Sequence, residues 1–311
     1  MGVFLVTGGA GFIGSNLAVA LVGMGHKVKV LDDFSTGSLD NLRPVLKEVE
    51  VIRADLRSLD DVRRAAAGVE VVLHQGALPS VPRSVVDPLT TNEINVTGTL
   101  NVLMAARDAG VRRVVYASSS SVYGNSDALP KLETMPPCPM SPYAVTKLAG
   151  EHYAKIYHEL YGLETVGLRY FNVFGPRQDP QSAYAAVIPR FISALLAGKS
   201  PVVFGDGEQS RDFTFIDVVV QANIRSSQAV GVAGEVLNIA CGNRITINHL
   251  LGALMKIVGC HPKITYAAPR PGDVKHSMAG IDKSFALLGR ILPIDLEEAL
   301  KLTVKWYART G

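Results

Sequence analysis

The sequence predicts a doubly wound parallel α/β sheet followed by a smaller α+β part. Three observations predict it. Short β-branched apolar runs alternate with helical patterns over the first half of the chain. Those runs are apolar almost throughout, which marks strands covered on both faces. A glycine-rich turn joins the first run to the first helix, the position of the ligand-binding edge in such sheets.

The elements follow in order. Val3 to Thr7 is the first strand, and Phe12 to Met24 the first helix, with Leu17, Ala18, Leu21 and Val22 on one face and Gly25 as its stop. Lys27 to Leu31, Glu50 to Ala54, Glu70 to His74, Arg113 to Ala117 and Glu164 to Arg169 are strands two to six. Helical patterns fall between them, notably Asp60 to Ala67, Asn92 to Ala109 and Tyr143 to Tyr161. After residue 171, prolines and glycines become frequent and short strands mix irregularly with helices. The expected division is a nucleotide-binding domain over 1–170 and a substrate-binding domain over 171–311. Val236 to Ala240 is strand-like and is expected to rejoin the main sheet, so part of 213–242 belongs with the first domain.

Bulk properties exclude several function classes. The 311 residues carry a net charge of +3 without a basic block, so neither a nucleic-acid nor a membrane partner is called for. Cys138, Cys241 and Cys260 are odd in number and form no CxxC, which points to a reducing compartment, the cytoplasm. The seven histidines form no HxxxH or HExxH pattern, and no metal site is expected. The N-terminal apolar run is too short for a signal peptide, and no apolar stretch is long enough to span a membrane.

Residues 7–14 read TGGAGFIG, with Gly8, Gly11 and Gly14 spaced GxxGxxG. Such glycines permit a tight turn, close approach of backbone to a pyrophosphate, and packing of helix on strand. The helix N-terminus adds N–H groups and partial positive charge. A merely flexible turn would also use glycines, so context matters. The second strand ends in Leu31-Asp32-Asp33, where an acid meets ribose hydroxyls. Paired carboxylates repel a 2′-phosphate, and no arginine follows before Arg43, which favours NAD over NADP in a Rossmann-type sheet. Asp55 and Leu56 follow the third strand, at the adenine edge of such a sheet. For these acids, the competing reading is a solvated polar loop.

Residues 141–147 read SPYAVTK. Tyr143 and Lys147 share a helix face at i and i+4. Ser141 is a good N-cap and Pro142 suits the first helical position, so the pair falls on the first turns. Free tyrosine and lysine have pKa values near ~10 and ~10.4. Bringing the phenol to neutrality needs about 4 kcal/mol. One ammonium about 4 Å away supplies that much at an effective dielectric of 20, although burial works against it. The serines 118–121, in YASSSSVYG, follow the fifth strand at the carboxyl edge, where their hydroxyls could relay a proton. An ordinary surface helix pair and a serine-rich turn would leave the same residue pattern.

With these motifs in this order, the sequence resembles the extended short-chain dehydrogenase/reductase family, nearest the nucleotide-sugar 4-epimerases. LRYFNVFGPRQ at 168–178, FGDGEQSRDFTFIDV at 204–218 and RPGDVKHS at 270–277 extend the likeness over nearly the whole chain. The resemblance implies that Gly8, Gly11, Phe12 and Ile13 cradle the NAD pyrophosphate, Asp32, with Asp33 beside it, meets the ribose, and Asp55 and Leu56 meet adenine. It places Gln75, Ala77, Ser118 and Tyr170 on the cofactor. Tyr143 and Lys147 become the catalytic pair, with Ser119 as the catalytic hydroxyl and Ser120 its near rival. Asn172, Arg211, Arg270 and Asp273 match positions that bind UDP, and forked guanidinium groups suit a diphosphate. Gln75 departs from the apolar or alanine residue more usual there. ALPSVPRS at 77–84 resembles the branch acting on N-acetylated UDP-hexoses or their uronic acids, where Arg83 would meet substrate. Ser277 replaces a bulky tyrosine and leaves room for an N-acetyl group.

The implied reaction is 4-epimerisation of UDP-hexoses (UDP-glucose/UDP-galactose, and the N-acetyl pair) through a 4-keto sugar, by a homodimer. A 4,6-dehydratase would carry an Asp-Glu couple where Ser120 and Ser121 stand. A UDP-uronate decarboxylase needs a partner for its carboxylate, and Arg83 keeps that reading open. A net reductase and a non-catalytic NAD-sensing protein also compete, although the latter has no need of Tyr143, Lys147 and the serines.

Overall fold

The computed structural model describes residues 1–180, 186–269 and 274–310. The strands β1 (Val3–Thr7), β2 (Lys27–Asp32), β3 (Val49–Arg53), β4 (Val71–His74), β5 (Arg113–Ser119) and β6 (Glu164–Tyr170) form one parallel sheet with β11 (Val236–Ile239). Its order is β11-β6-β5-β4-β1-β2-β3. The chain therefore winds outward from β1 in two directions, leaving a crevice at the carboxyl edge between β1 and β4. β11 runs parallel to β6, from Val236↔Gly167 to Ile239↔Tyr170.

Alternating side chains put each strand into two cores. Phe4 and Val6 of β1 join Leu17 and Leu21 of helix α1 (Phe12–Gly23) on one face. Leu5 joins Val62 of α3 (Leu59–Ala66) and Val102 of α6 (Gly98–Asp108) on the other. A four-residue helix, α2 (Leu39–Leu42), fills the β2–β3 connection.

The helix expected over Asn92 to Ala109 is not continuous. Short helices α4 (Val81–Val86) and α5 (Pro88–Asn92) come first, then a π-helical segment over Glu93–Thr97, then α6. Asn95 in that segment accepts the Leu78 N–H at 2.7 Å and donates to Leu78 O at 3.2 Å. The inserted residue thus turns an amide onto the loop after β4, a common use of a π-bulge at a functional site.

Helix α7 (Pro142–Tyr161) begins where the sequence places it: Ser141 caps it by accepting the Ala144 N–H at 3.1 Å. It lies very close to β5. A Cβ on Gly150 would stand 2.2 Å from Tyr116 Oη, so only glycine fits. Tyr116 Oη in turn donates to Lys147 O at 3.2 Å.

The later part is built from helices α8 (Val187–Leu196), α9 (Ile216–Gln228), α10 (Ile247–Val258), α11 (Asp282–Leu288) and α12 (Leu296–Thr310). Three two-stranded pairings tie it together: β7 (Val173–Phe174) with β10 (Thr214–Phe215), β8 (Val202–Phe204) with β13 (Thr265–Ala267), and β9 (Ser210–Arg211) with β12 (Ile245–Thr246). Of these helices, α9 packs on the main sheet and on α1. Among the described residues no helix is long and apolar enough to cross a membrane.

Candidate active site

A cavity of about 540 Å³ opens along the carboxyl ends of β1, β2, β4, β5 and β6. Gly8, Gly11, Phe12, Ile13, Asp32, Asp33, Asp55, Leu56, Gln75, Ala77, Arg83, Ser118, Tyr143, Lys147 and Tyr170 all line it. Sequence reasoning thus collects one wall-to-wall site from residues more than 160 positions apart, because parallel strands deliver every βα loop to the same edge.

One end of the cavity is built for an anion. Gly8 has φ +63°, and a Cβ there would stand 2.7 Å from Gly76, so two loops touch backbone to backbone. Helix α1 starts at Gly11 with no capping side chain and no acid in its first turn, leaving its positive end toward the cavity. Arg177, with φ +72°, lines the same cavity and donates to Asn16 Oδ1 of α1 at 2.5 Å. Burial lowers its pKa.

Beside this cradle, Asp32 accepts N–H groups of Ala10 and Phe34, both at 2.9 Å. Burial raises its pKa, and these N–H donors pull it back. Each carboxylate oxygen keeps a lone pair for a hydroxyl. Asp55 is held below its ordinary pKa by the Arg57 guanidinium, whose Nη2 lies 2.6 Å away. No basic side chain stands among the lining residues from Leu31 to Leu56, which suits a ribose without a 2′-phosphate. A glycine cradle, an uncapped helix and a ribose acid fit a dinucleotide.

At the other end stand the reactive groups. The Ser119 side chain lies close enough to the Tyr143 hydroxyl to lower its pKa. Ser119 ends β5 opposite Tyr170, in register with it. Ser120 begins the 3-10 turn Ser120–Tyr123 instead. Lys147 Nζ donates to Ala117 O at 2.8 Å and lies 5.9 Å from the centre of the Tyr143 ring.

Here one expectation is corrected. Lys147 is expected to draw Tyr143 toward neutrality, yet burial pushes Tyr143 up to about 12 and Lys147 down to about 7. Both hydroxyl and amine are enclosed, and desolvation penalises each charged form. Tyr143 as a whole residue is half-buried. Ser119 is the influence that draws its pKa down.

Ser118 lies on the wall, but its hydroxyl donates to Glu151 Oε1 of α7. Glu151 also pairs with buried Arg169 at 2.7 Å. Asn172, Arg211 and Ser277 lie outside the cavity lining. Asn172 Nδ2 donates to Asp212 O at 3.1 Å, and the Ser277 N–H donates to Ser210 O at 3.0 Å. Arg211 Nη1 donates to the Ser210 and Lys275 carbonyls. The Asp212 carboxylate, pushed by burial up to about 6, accepts N–H groups of Cys241, Gly242 and Ala279. Arg270 and Asp273 fall outside the described residues.

Sequence reasoning passes over several members. Ser35, Thr36, Asn41 and Arg177 line the cavity, and Asn95 and Ser84 hold it from behind. Arg177 sits inside LRYFNVFGPRQ, so the motif contained that signal. The others depend on loop contacts without a sequence pattern.

Known proteins resemble this chain. The sequence model of the NAD dependent epimerase/dehydratase family matches residues 4–240. A putative UDP-glucose 4-epimerase of Methanocaldococcus jannaschii is 40% identical, covering 98% of both chains. The solved UDP-N-acetylglucosamine 4-epimerase of Methanobrevibacter ruminantium, in complex with UDP-N-acetylmuramic acid, is 41% identical with TM-score 0.95, covering 100% of this chain and 99% of the other. The Thermus thermophilus UDP-glucose 4-epimerase, solved with NAD, is 36% identical with TM-score 0.91, covering 99% and 100%.

Proposed function

Because the chain belongs to the NAD dependent epimerase/dehydratase family, we propose that it is an NAD-dependent 4-epimerase of UDP-hexoses. The observation that carries this is Tyr143 beside Lys147 in the cavity whose far end is the glycine cradle, with Ser119 near enough to lower the phenol's pKa. Gly8, Gly11, Phe12 and Ile13 hold the pyrophosphate, Asp32 and Asp33 the ribose, and Leu56 the adenine. When bound, NAD supplies the hydride acceptor and donor and a cationic ring that favours a neighbouring phenolate.

Tyr143 takes the proton of the sugar 4-hydroxyl, directly or through Ser119. Arg211, Asn172 and Ser277 keep the UDP part anchored while the 4-keto sugar turns over. Tyr143 then returns the proton after reduction on the opposite face, which inverts carbon 4. Fixed placement of proton donor and acceptor contributes most of the rate.

A UDP-uronate substrate has support in Arg83, which lines the cavity. The dehydratase reading has less, because Ser120 and Ser121 stand in the 3-10 turn where a carboxylate pair would be needed. For assembly we favour a cytoplasmic homodimer: Val145, Ile156 and Leu160 of α7 are exposed apolar residues, and all three cysteines are free.

The test is to incubate purified protein with UDP-glucose, UDP-N-acetylglucosamine and their uronic acids without added NAD, and separate the products. Interconversion at carbon 4 is expected. No interconversion of any would overturn the epimerase reading, and loss of carbon dioxide from a uronic acid would replace it. A mass in solution showing only monomer would overturn the dimer.

A further inference from the structure

A closed ring of three polar side chains lies behind the cavity wall. Tyr170 Oη donates to Gln75 Oε1 at 3.1 Å, Gln75 Nε2 donates to Asn223 Oδ1 at 3.0 Å, and Asn223 Nδ2 donates to Tyr170 Oη at 2.8 Å. The second N–H of Asn223 goes to Val219 O at 2.8 Å. The ring joins the loop after β4, the end of β6 and the middle of α9. Gln75 and Tyr170 line the cavity, whereas Asn223 is fully buried behind them.

Apolar side chains would fill this space at lower cost, since buried amides are expensive unless every bond is made. The ring makes every N–H bond of the fully buried Asn223, and it leaves each member one orientation. The Gln75 amide is held with its oxygen toward Tyr170 and its nitrogen toward Asn223, with a second N–H remaining for a ligand.

We propose that Asn223 is a positioning residue for the dinucleotide: through Gln75 and Tyr170 it locks the wall beside Tyr143 and Lys147, and so retains the reduced cofactor between the two halves of a turnover. The inference rests on the proposed epimerisation. That cycle closes only if the cofactor reduced in the first half is present in the second; early release strands an oxidised sugar.

The experiment measures NADH dissociation, followed by its fluorescence after mixing the NADH-loaded protein with excess NAD. The variants are Asn223→Leu and the double variant Gln75→Leu/Asn223→Leu. Losing two hydrogen bonds in the wall is expected to speed release about tenfold in Asn223→Leu, with a lower Tm from the stranded Gln75 amide. Removing both amides is expected to restore much of the Tm, while release stays fast. Parent-like release from Asn223→Leu, or release that returns to the parent rate together with Tm in the double variant, would overturn the proposal. Should Asn223→Leu fail to fold, the double variant decides by the same criterion. Product analysis with the unaltered protein tests the epimerase reading separately.

Discussion

Ser84 Oγ accepts the backbone N–H of Tyr143 at 3.0 Å and donates its own proton to Val81 O at 2.7 Å. Ser84 is fully buried. A hydroxyl on the short helix α4 thereby satisfies one of the open N–H groups in the first turn of α7 and sets where the phenol stands. Ser84→Ala leaves that N–H unsatisfied and is expected to cost about 1–3 kcal/mol in denaturant unfolding. We expect kcat to fall about tenfold with KM little changed, since placement of the base is what is lost. A parent-like kcat would show that α4 does not position Tyr143.

Tyr143→Phe removes the proton acceptor and little volume. Turnover is expected to fall by about 10²–10⁴, while calorimetric titration still shows UDP binding, because Arg211 and Asn172, proposed to hold UDP, lie outside the lining of the cavity that holds the phenol. Near-normal turnover would mean that another group is the base.

Ser119→Ala bears on pH. Ser119 lowers the pKa of Tyr143, against burial, which raises it. Without it the phenol holds its proton to higher pH. The rising limb of kcat against pH is expected to shift alkaline, with the largest loss near pH 7 and partial recovery above it. An unmoved limb would leave Ser119 with no part in the proton transfer.

His74 sets an acid limit on stability. It is buried between Thr7 Oγ1 at 2.6 Å and Thr99 Oγ1 at 3.0 Å, and burial pushes its pKa down from 6.5 to about 3. Between those values the unfolded chain binds a proton that the folded chain refuses, so stability is intact above pH 6.5 and falls as pH drops. The slope from this one group is about 1.4 kcal/mol per pH unit. His74→Gln is expected to flatten the stability profile between pH 6.5 and 4. An unchanged profile would assign the acid lability elsewhere.

Glu151 and Arg169 are both buried and pair at 2.7 Å. Glu151→Leu leaves the guanidinium enclosed without its partner, at an expected cost of about 3–5 kcal/mol. The double variant Glu151→Leu/Arg169→Met is expected to recover part of it, which thermal unfolding measures.

Much of the site could be read along the chain because its rules are local. Ser141 and Pro142 start a helix, and a spacing of four then places Tyr143 and Lys147 on one face. Apolar runs bounded by helices form a parallel sheet, whose carboxyl edge collects the glycine loop, Asp32 and Ser119 without any knowledge of their distances. The helix through Asn92 was misjudged because its π-helical interruption answers to Leu78, a partner in another loop. Ser84 and Asn223 carried no pattern at all.

The sense of the Tyr143–Lys147 interaction also lay beyond the sequence. A spacing states that two groups meet, but their pKa values follow from how much water each has lost, and that depends on the many neighbours that enclose them. Residue types and intervals therefore specify the sheet, the glycine turn and which tyrosine and lysine share a helix face. Folding alone establishes that burial governs Tyr143 and Lys147, that Ser119 influences the phenol, and that Asn172 reaches Asp212 while Arg211 and Ser277 meet at Ser210, because each depends on segments brought together only when the core closes.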